Sequence, residues 1–491
     1  MPFFKTLIAS ASALTIAACA TGPDYDAPSA PGFVADAYET DAAATAEAAE
    51  PAQRWWTSLG DETLDGLVAA AFAENRDIRQ AAANVEAARA LLRLERVNLR
   101  PEGALGADYQ RRRIAGAGFG IDDQVFPDTD FFDVGASASW ELDFFGRVRR
   151  GGEAAYAEAG GAEALRRDAQ VLVAAETVRA YTDYRGADVQ LAVARQNLKV
   201  QRQTLELTET RLAEGLGSQL DVARAASQAK STEAAIPPLQ AAKNAAANRL
   251  ATLTGSDVAT VERRLADDEA TLPAPPDVLA IADPGALIDR RPDVRVAERA
   301  LAAATARIGG AKAEYYPRIS LVGAVSASAQ SLAGVGDEGA LGYGVGPSLS
   351  WAGIDVPRIR AQVKAAGAEA EAAFAAYEQS VLLAIEETQT ALAAYGREKV
   401  RFDALVDAAA KAAEAAELAR LRYDDGVDDF IDVLDAEARQ LAAEAALAES
   451  RTAVTRNFAD VHRALGAGWA PERDDDPLSS VRGDAETEQA L

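Results

Sequence analysis

Beyond its initiator the chain has no methionine, and it carries one cysteine and one histidine. With Cys19 alone, neither a disulfide framework nor a Cys-based metal site can be assembled. His462 has no cysteine to pair with and no Ser/Asp set around which hydrolytic chemistry could be built, so its role reads as structural or surface. The chain therefore reads as no enzyme, with no cofactor and no metal. Positive charge is scarce too: 50 Lys and Arg against 76 Asp and Glu give a net charge of −26 at pH 7. Nucleic acid demands a basic patch, and none is legible in the sequence, which argues against it as a partner. No run of 18 or more apolar residues occurs, so there is no transmembrane helix, and a body that crosses a bilayer must do so as a β-barrel.

What is there begins with a targeting signal. Lys5 precedes an apolar run from Leu7 to Ile16, too short to span a bilayer, and the run closes on Ile16-Ala17-Ala18-Cys19. The small residues before the cysteine resemble a bacterial lipobox, which implies that residues 1–18 are a signal peptide and Cys19 the lipidated first residue of the mature chain. Ala20, being no aspartate, is compatible with sorting to the outer membrane. Residues 19–52, rich in Pro, Ala and acid, read as an extended leader.

The rest is written twice. VGASASWELDFFGRVR, from Val134 to Arg149, returns 211 residues later as VGPSLSWAGIDVPRIR, from Val345 to Arg360, with Trp140 matched by Trp351 and Arg147 by Arg358. Val134, Ala136, Ala138, Trp140, Leu142 and Phe144 alternate with Gly135, Ser137, Ser139, Glu141 and Asp143, a period of two that gives a strand one apolar face. Another alternating stretch precedes each copy, Gly103 to Arg111 and Ile319 to Ala329. Upstream, a helical pattern through Leu64, Leu67, Ile78 and Val85 stops before Arg100-Pro101, and it recurs from Pro284 to Tyr316-Pro317 at an offset of 216. The two offsets differ by five residues, a difference assigned to the Gly- and Asp-rich loops 112–133 and 328–344. Gly116-x-Gly118-x-Gly120 and Gly342-x-Gly344-x-Gly346 sit in no strand–turn–helix unit and read as loop and strand glycines, not phosphate loops.

Behind each strand comes a break, Gly146-Arg147 or Pro357-Arg358, and then a long Ala-rich run. Phe374, Tyr377, Val381, Ile385, Thr388, Leu392 and Tyr395 step by three and four, the seam of a coiled coil. As one helix, Gly152 to Ala213 is about 90 Å long, a rod no compact globule uses. Each rod turns at a matched tip: Arg211, Gly215 and Leu220-Asp221-Val222 correspond to Arg422, Gly426 and Ile431-Asp432-Val433, again 211 apart. Pro237-Pro238 is expected to break the first return helix. The organisation is thus a first repeat, 53–260, a linker, 261–283, a second repeat, 284–468, and an acidic tail, 469–491, that reads as disordered.

Four strands cannot close a membrane barrel, for which about eight is the minimum, and lipid-facing sheet edges are not tolerated. Several chains must pool strands, and three would supply twelve. The motifs GPDY, WWTSLGDETL, ENRDIRQA, DRRPDVRVAE, YYPRISL, SWELDFFGR and RYDDGVDDFIDVLDAEARQ, in this order and duplicated, resemble the TolC-type outer-membrane factors, specifically their OprM/NodT-like lipoprotein branch. The resemblance covers nearly the whole mature chain. It implies a mixed, mainly α fold: long antiparallel helices in a periplasmic α-barrel, and four strands per chain in a twelve-stranded transmembrane β-barrel of a homotrimer. Such trimers are exit ducts of tripartite efflux or export systems, docking with a periplasmic adaptor (membrane fusion protein) and an inner-membrane pump.

The same resemblance maps Asp432 and Asp435 onto carboxylates lining the periplasmic gate, with Asp221 and Arg224 as their counterparts in the first repeat. It maps Arg211, Gly215, Arg422 and Gly426 onto tips that meet the adaptor. Trp140 and Trp351, near strand ends, suit an interfacial aromatic girdle, with packing against the helix below as the alternative. Two other functions are weighed: a type I-like secretion duct, and a periplasmic coiled-coil scaffold, which fails on the strand pairs. Exported compounds are not legible in this chain, since selectivity in such systems belongs largely to the pump.

Overall fold

The alternation in the duplicated segment folds as read, into one four-stranded antiparallel sheet of order β2-β3-β5-β6. Its strands are β2 (Glu102–Arg112), β3 (Thr129–Glu141), β5 (Arg318–Ala329) and β6 (Leu341–Ser350). The computed structural model describes residues 20–29, 31–32, 46–48, 52–113, 127–266, 271–281, 284–427 and 429–469; Cys19 and the acidic tail beyond Trp469 lie outside them. Register sorts the side chains. Leu105, Ala136, Val325 and Tyr343 stand side by side across the sheet, and so do Gly106, Gly135, Ser326 and Gly342 on the other face. Leu105 is 89% and Tyr343 87% exposed on the apolar face, a surface built for something other than water.

The helices among the described residues are α1 (Glu62–Glu74), α2 (Arg76–Val97), α3 (Arg147–Ala213), α4 (Gln219–Leu253), α5 (Val258–Ala266), α6 (Pro284–Arg290), α7 (Pro292–Ala313), α8 (Val356–Asp424) and α9 (Phe430–Ala464). The chain divides into two compact units: Met1–Pro28, Asn84–Ala162 and Val296–Tyr377 form one, and Ser29–Ala83, Glu163–Arg295 and Glu378–Leu491 the other. The first unit holds the sheet. Beneath its strands Leu92, Ala155 and Ala159 pack together, as do Ala154, Ala157, Ala302, Ala303 and Ala306, small side chains that let helices approach closely. The second unit holds the helical hairpin ends and an aromatic core in which Trp55 stacks on His462 at 4.7 Å and Phe458 meets His462 edge-on.

Several expectations need correcting. The upstream helical pattern is two helices, because Asn75 interrupts it: its Oδ1 accepts from the Asp77 and Ile78 N–H groups and starts α2. Arg291 makes the corresponding break between α6 and α7. The strand read as far as Phe144 ends at Glu141, and a turn follows in which Asp143, at φ 35°, accepts from the N–H groups of Val148 and Arg149 and caps α3. Residues 129–133 and 341–344, read as loop, extend β3 and β6. Pro237 and Pro238 do not break α4, which passes through both. Both prolines are exposed, and water can serve the two carbonyls that lose their donors. The described residues of the linker 261–283 include regular structure: it begins inside α5, whose Val261 and Leu265 are buried, and β4 (Leu279–Ile281) pairs in parallel with β1 (Ala46–Ala48). In the coiled-coil seam Tyr377, Val381, Thr388, Leu392 and Tyr395 are buried, whereas Phe374 is exposed.

Candidate functional site

Both rods end in the same turn. Gly215 and Gly426 adopt φ 75° and 73°, the left-handed region where a Cβ is penalised. In the first, Leu216 N–H reaches the Arg211 carbonyl at 2.8 Å and Gly215 N–H the Leu212 carbonyl at 3.0 Å; in the second, Val427 reaches Arg422 at 2.9 Å and Gly426 reaches Tyr423 at 3.0 Å. These are Schellman ends, with the last helical carbonyls satisfied locally. The hairpin is closed by packing: Phe430 and Val433 at the start of α9 are buried with Ala225 of α4, against Leu205 and Tyr423. The Arg211 guanidinium lies 4.4 Å over the Tyr423 ring, so the first tip is clasped to the second within one chain.

The four acidic and basic gate candidates separate by environment. Asp221 accepts the Ser218 hydroxyl at 2.6 Å, and its own N–H donates to that oxygen, so it belongs to the start of α4. Arg224, on the next exposed turn, has no partner among the described residues. Asp435 pairs with Arg439 one turn on at 2.9 Å, while Asp432 is exposed and carries no ion pair among the described residues. Behind them Arg420 Nε donates to Glu437 Oε1 at 2.8 Å, with Glu437 almost fully buried. Sequence reasoning missed what lies beside the glycines: Leu216 and Val427, Leu220 and Ile431 are large apolar side chains exposed at both tips. Each pair is 211 residues apart, a signal the repeat itself carried.

The two tryptophans are equivalent in a way their spacing alone did not show. Trp140 Nε1 donates to the Leu99 carbonyl at 2.8 Å and Trp351 Nε1 to the Tyr315 carbonyl at 3.1 Å, each tying a strand end to the end of the helix that precedes the neighbouring strand. Both rings remain exposed on the apolar side of the sheet. Cys19 lies outside the described residues, but the residues after it are docked. Thr21 N–H donates to the Phe145 carbonyl at 3.2 Å, Arg150 holds the Thr21 carbonyl and Asp24 at 3.1 and 2.7 Å, and the Tyr25 hydroxyl bonds Glu298. Gly22 crosses Gly309 so closely that a Cβ there would overlap it.

His462, the histidine left over from the sequence, sits in the second unit's core. Burial pushes its pKa down from 6.5 to about 3, so it is neutral, and its Nδ1 has no partner among the described residues. Asp168, near Asp293 and Arg291, is pushed up to about 6, chiefly by burial and then by the Asp293 charge.

The sequence model of the family described as "Outer membrane efflux protein" matches residues 67–256 and 284–467, the two repeats. The chain is 34% identical to outer membrane protein OprJ of Pseudomonas aeruginosa, over 93% of this chain and 94% of that protein. It is 30% identical to the toluene efflux pump outer membrane protein TtgF of Pseudomonas putida, over 94% and 96% of the two. The solved structure of the outer-membrane channel OprN superposes with a TM-score of 0.84 at 37% identity, covering 92% of this chain and 100% of that one. A duplicated hairpin with left-handed glycine tips, an apolar-faced sheet with two open edges, and this breadth of match lead to one conclusion: the chain belongs to the outer membrane efflux protein family, with the TolC-type channel fold.

Proposed function

We propose that this outer-membrane efflux channel works as a passive homotrimeric exit duct, anchored through Cys19, that receives its cargo through a periplasmic adaptor from an inner-membrane pump. The observation that carries the trimer is the pair of open edges. β2 and β6 expose unpaired edges of 11 and 10 residues on a sheet whose apolar face points outward, and in lipid those backbone groups must find another strand. Pooling four strands from each of three chains meets that need. The polar face of Ser137, Ser139, Ser320 and Ser326 then lines a wet lumen, and Trp140 and Trp351 sit at the membrane boundary.

The tips are where the adaptor is read to dock. Leu216, Leu220, Val427 and Ile431 are exposed apolar side chains beside rigid, locally satisfied turns, the composition of a protein-binding end, and Arg211, Gly215, Arg422 and Gly426 shape those turns. Asp432 and Asp435, with Asp221 and Arg224 on the unequal partner tip, form the gate in this reading, and the adaptor opens it by binding the splayed state better. Nothing in the chain favours protein secretion over efflux of small solutes. The test is complementation: cells lacking their own exit duct should regain drug tolerance with the wild-type chain but not with Leu216→Asp/Val427→Asp, although both assemble in the membrane. Full tolerance in the double variant would move adaptor docking away from the tips.

A further inference from the structure

Just below the sheet the chain reverses its charge. In a protein of net −26, Arg93, Arg96 and Arg100 near the end of α2, Lys312 near the end of α7, and Arg360 and Lys364 at the start of α8 have no carboxylate partner among the described residues. All six belong to the first unit, on segments that run into or out of the strands. Arg360 and Lys364 are one helical turn apart and share a face.

The duplication separates what was kept from what was let go. Arg96 corresponds to Lys312, Arg147 to Arg358 and Arg149 to Arg360, so the cations recur in both repeats. Their acids do not. In the first repeat Arg147 is paired with Glu141 at 2.6 Å and Arg149 with Asp143 at 3.3 Å. In the second, Ala352 stands in the place of Glu141 and Ile354 in that of Asp143, while Lys364 stands where the first repeat has Glu153, the partner of Arg150. Arg358 has a new partner, Asp355 at 2.9 Å, but Arg360 keeps its charge with no carboxylate beside it among the described residues. Where Asp143 has its counterpart, apolar surface came: Ile354 is fully exposed, close in sequence to Trp351, 60% exposed, and to Leu349 on the apolar face of β6.

Apolar side chains facing outward, with a row of unpaired cations immediately beneath, match the layering of a phospholipid leaflet, acyl carbon above and phosphate below. We propose that this basic collar binds the head groups of anionic glycerophospholipids in the periplasm-facing leaflet of the outer membrane. The exposed Ile354 and Trp351 select a lipid over a soluble anion, which would have no use for them. The inference rests on the sheet being embedded in that membrane, as read above.

The test uses purified full-length protein in neutral detergent at low salt, titrated with phosphatidylglycerol, phosphatidylethanolamine or inorganic phosphate, with binding read by native mass spectrometry and by the thermal midpoint. Phosphatidylglycerol should bind at least tenfold more tightly than phosphatidylethanolamine, and 0.5 M salt should erase the difference. Arg360→Gln/Lys364→Gln and Arg96→Gln/Arg100→Gln should each reduce that selectivity while leaving the lipid-free midpoint unchanged, and Arg360→Lys should retain it. Equal binding of the two lipids, undiminished selectivity in both glutamine variants, or equal stabilisation by inorganic phosphate would each overturn the proposal. Incorporation into purely zwitterionic vesicles is measured beside it: variants that insert normally keep the barrel reading intact whatever happens to charge selectivity, whereas failure of the wild type to insert would strike at that reading.

Discussion

Asn75 and Arg291, 216 residues apart, each cap the end of their own repeat's return helix. Asn75 Nδ2 donates to the Leu253 carbonyl at 3.0 Å, and Arg291 Nη1 donates to the Ala464 carbonyl at 2.9 Å. The two acceptors are themselves 211 residues apart. The donors differ in charge. Arg291 is buried, and its guanidinium is held by Asp293 at 2.7 Å and Glu387 at 2.9 Å. Arg291→Gln should therefore cost about 3 kcal/mol, because Asp293, Glu387 and Asp168 would lose their shared cation. Asn75→Ala should cost only about 1–2 kcal/mol, the value of a buried cap. Thermal unfolding of the purified variants compares them, and an equal loss would show that the charge at Arg291 adds nothing to the cap.

The tip glycines should tolerate alanine better than proline. A Cβ at Gly215 or Gly426 meets nothing within 4 Å, so alanine pays only the left-handed backbone, about 1 kcal/mol. Proline fixes φ near −65° and removes the N–H that each glycine donates to the preceding turn. Gly215→Pro and Gly426→Pro should insert and assemble yet fail to restore drug tolerance, while both alanine variants restore it. Normal tolerance with proline at both positions would place adaptor docking elsewhere.

At the proposed gate, charge is the quantity to measure. Asp432 is solvent-exposed without an ion pair among the described residues and Asp435 is paired with Arg439, so Asp432 should dominate the field at the proposed entrance. In planar bilayers, Asp432→Asn/Asp435→Asn should lower cation selectivity and weaken block by multivalent cations from the periplasmic side, with Asp432→Asn alone giving most of the change. An unchanged reversal potential in the double variant would assign the constriction to other residues, Asp221 and Asp429 first.

Acid should act on the second unit through two groups of opposite sign. His462, at about 3 when folded and 6.5 when unfolded, contributes stability that is full above pH 6.5 and falls as pH drops towards 3. Asp168, at about 6 when folded and 3.8 when unfolded, does the reverse: its folded form gains stability as pH falls from 6 towards 3.8. At pH 5 the losses and gains are about 2 and about 1 kcal/mol. His462→Phe keeps an aromatic ring between Trp55 and Phe458 and should remove the acid loss; Asp168→Asn should raise stability at pH 7 and steepen the fall below pH 6. Melting curves from pH 4 to 7 decide it, and parallel curves for His462→Phe and wild type would mean that water reaches the imidazole.

Much of the fold was legible because duplication made each pattern appear twice: period two in the strands, steps of three and four in Tyr377 to Tyr395, and glycine at both turns. What stayed illegible depends on partners far away in sequence. Nothing local announces that Arg211 will lie on Tyr423, or that Trp140 will reach back to Leu99. Pro237-Pro238 misled because proline's cost was weighed without its exposure, and Asn75 because a side-chain cap can restart a helix inside an unbroken apolar pattern. At the candidate site the sequence drew attention to the acids and not to the apolar side chains beside the glycines, since an exposed leucine becomes informative only when its exposure is seen.

The strand connections show where this chain can change its length. Residues 113–128 join β2 to β3 and residues 330–340 join β5 to β6, and these two connections hold the whole five-residue mismatch between the repeats. One residue added within α3 or α8 would rotate everything beyond it by about 100°, turning buried seam positions outward. Five added in an outer connection rotate nothing. Insertions and deletions in relatives of this chain should therefore accumulate at the far end of the sheet, and an epitope tag placed there should leave the rods in phase, whereas a single-residue deletion between Val381 and Leu392 should not.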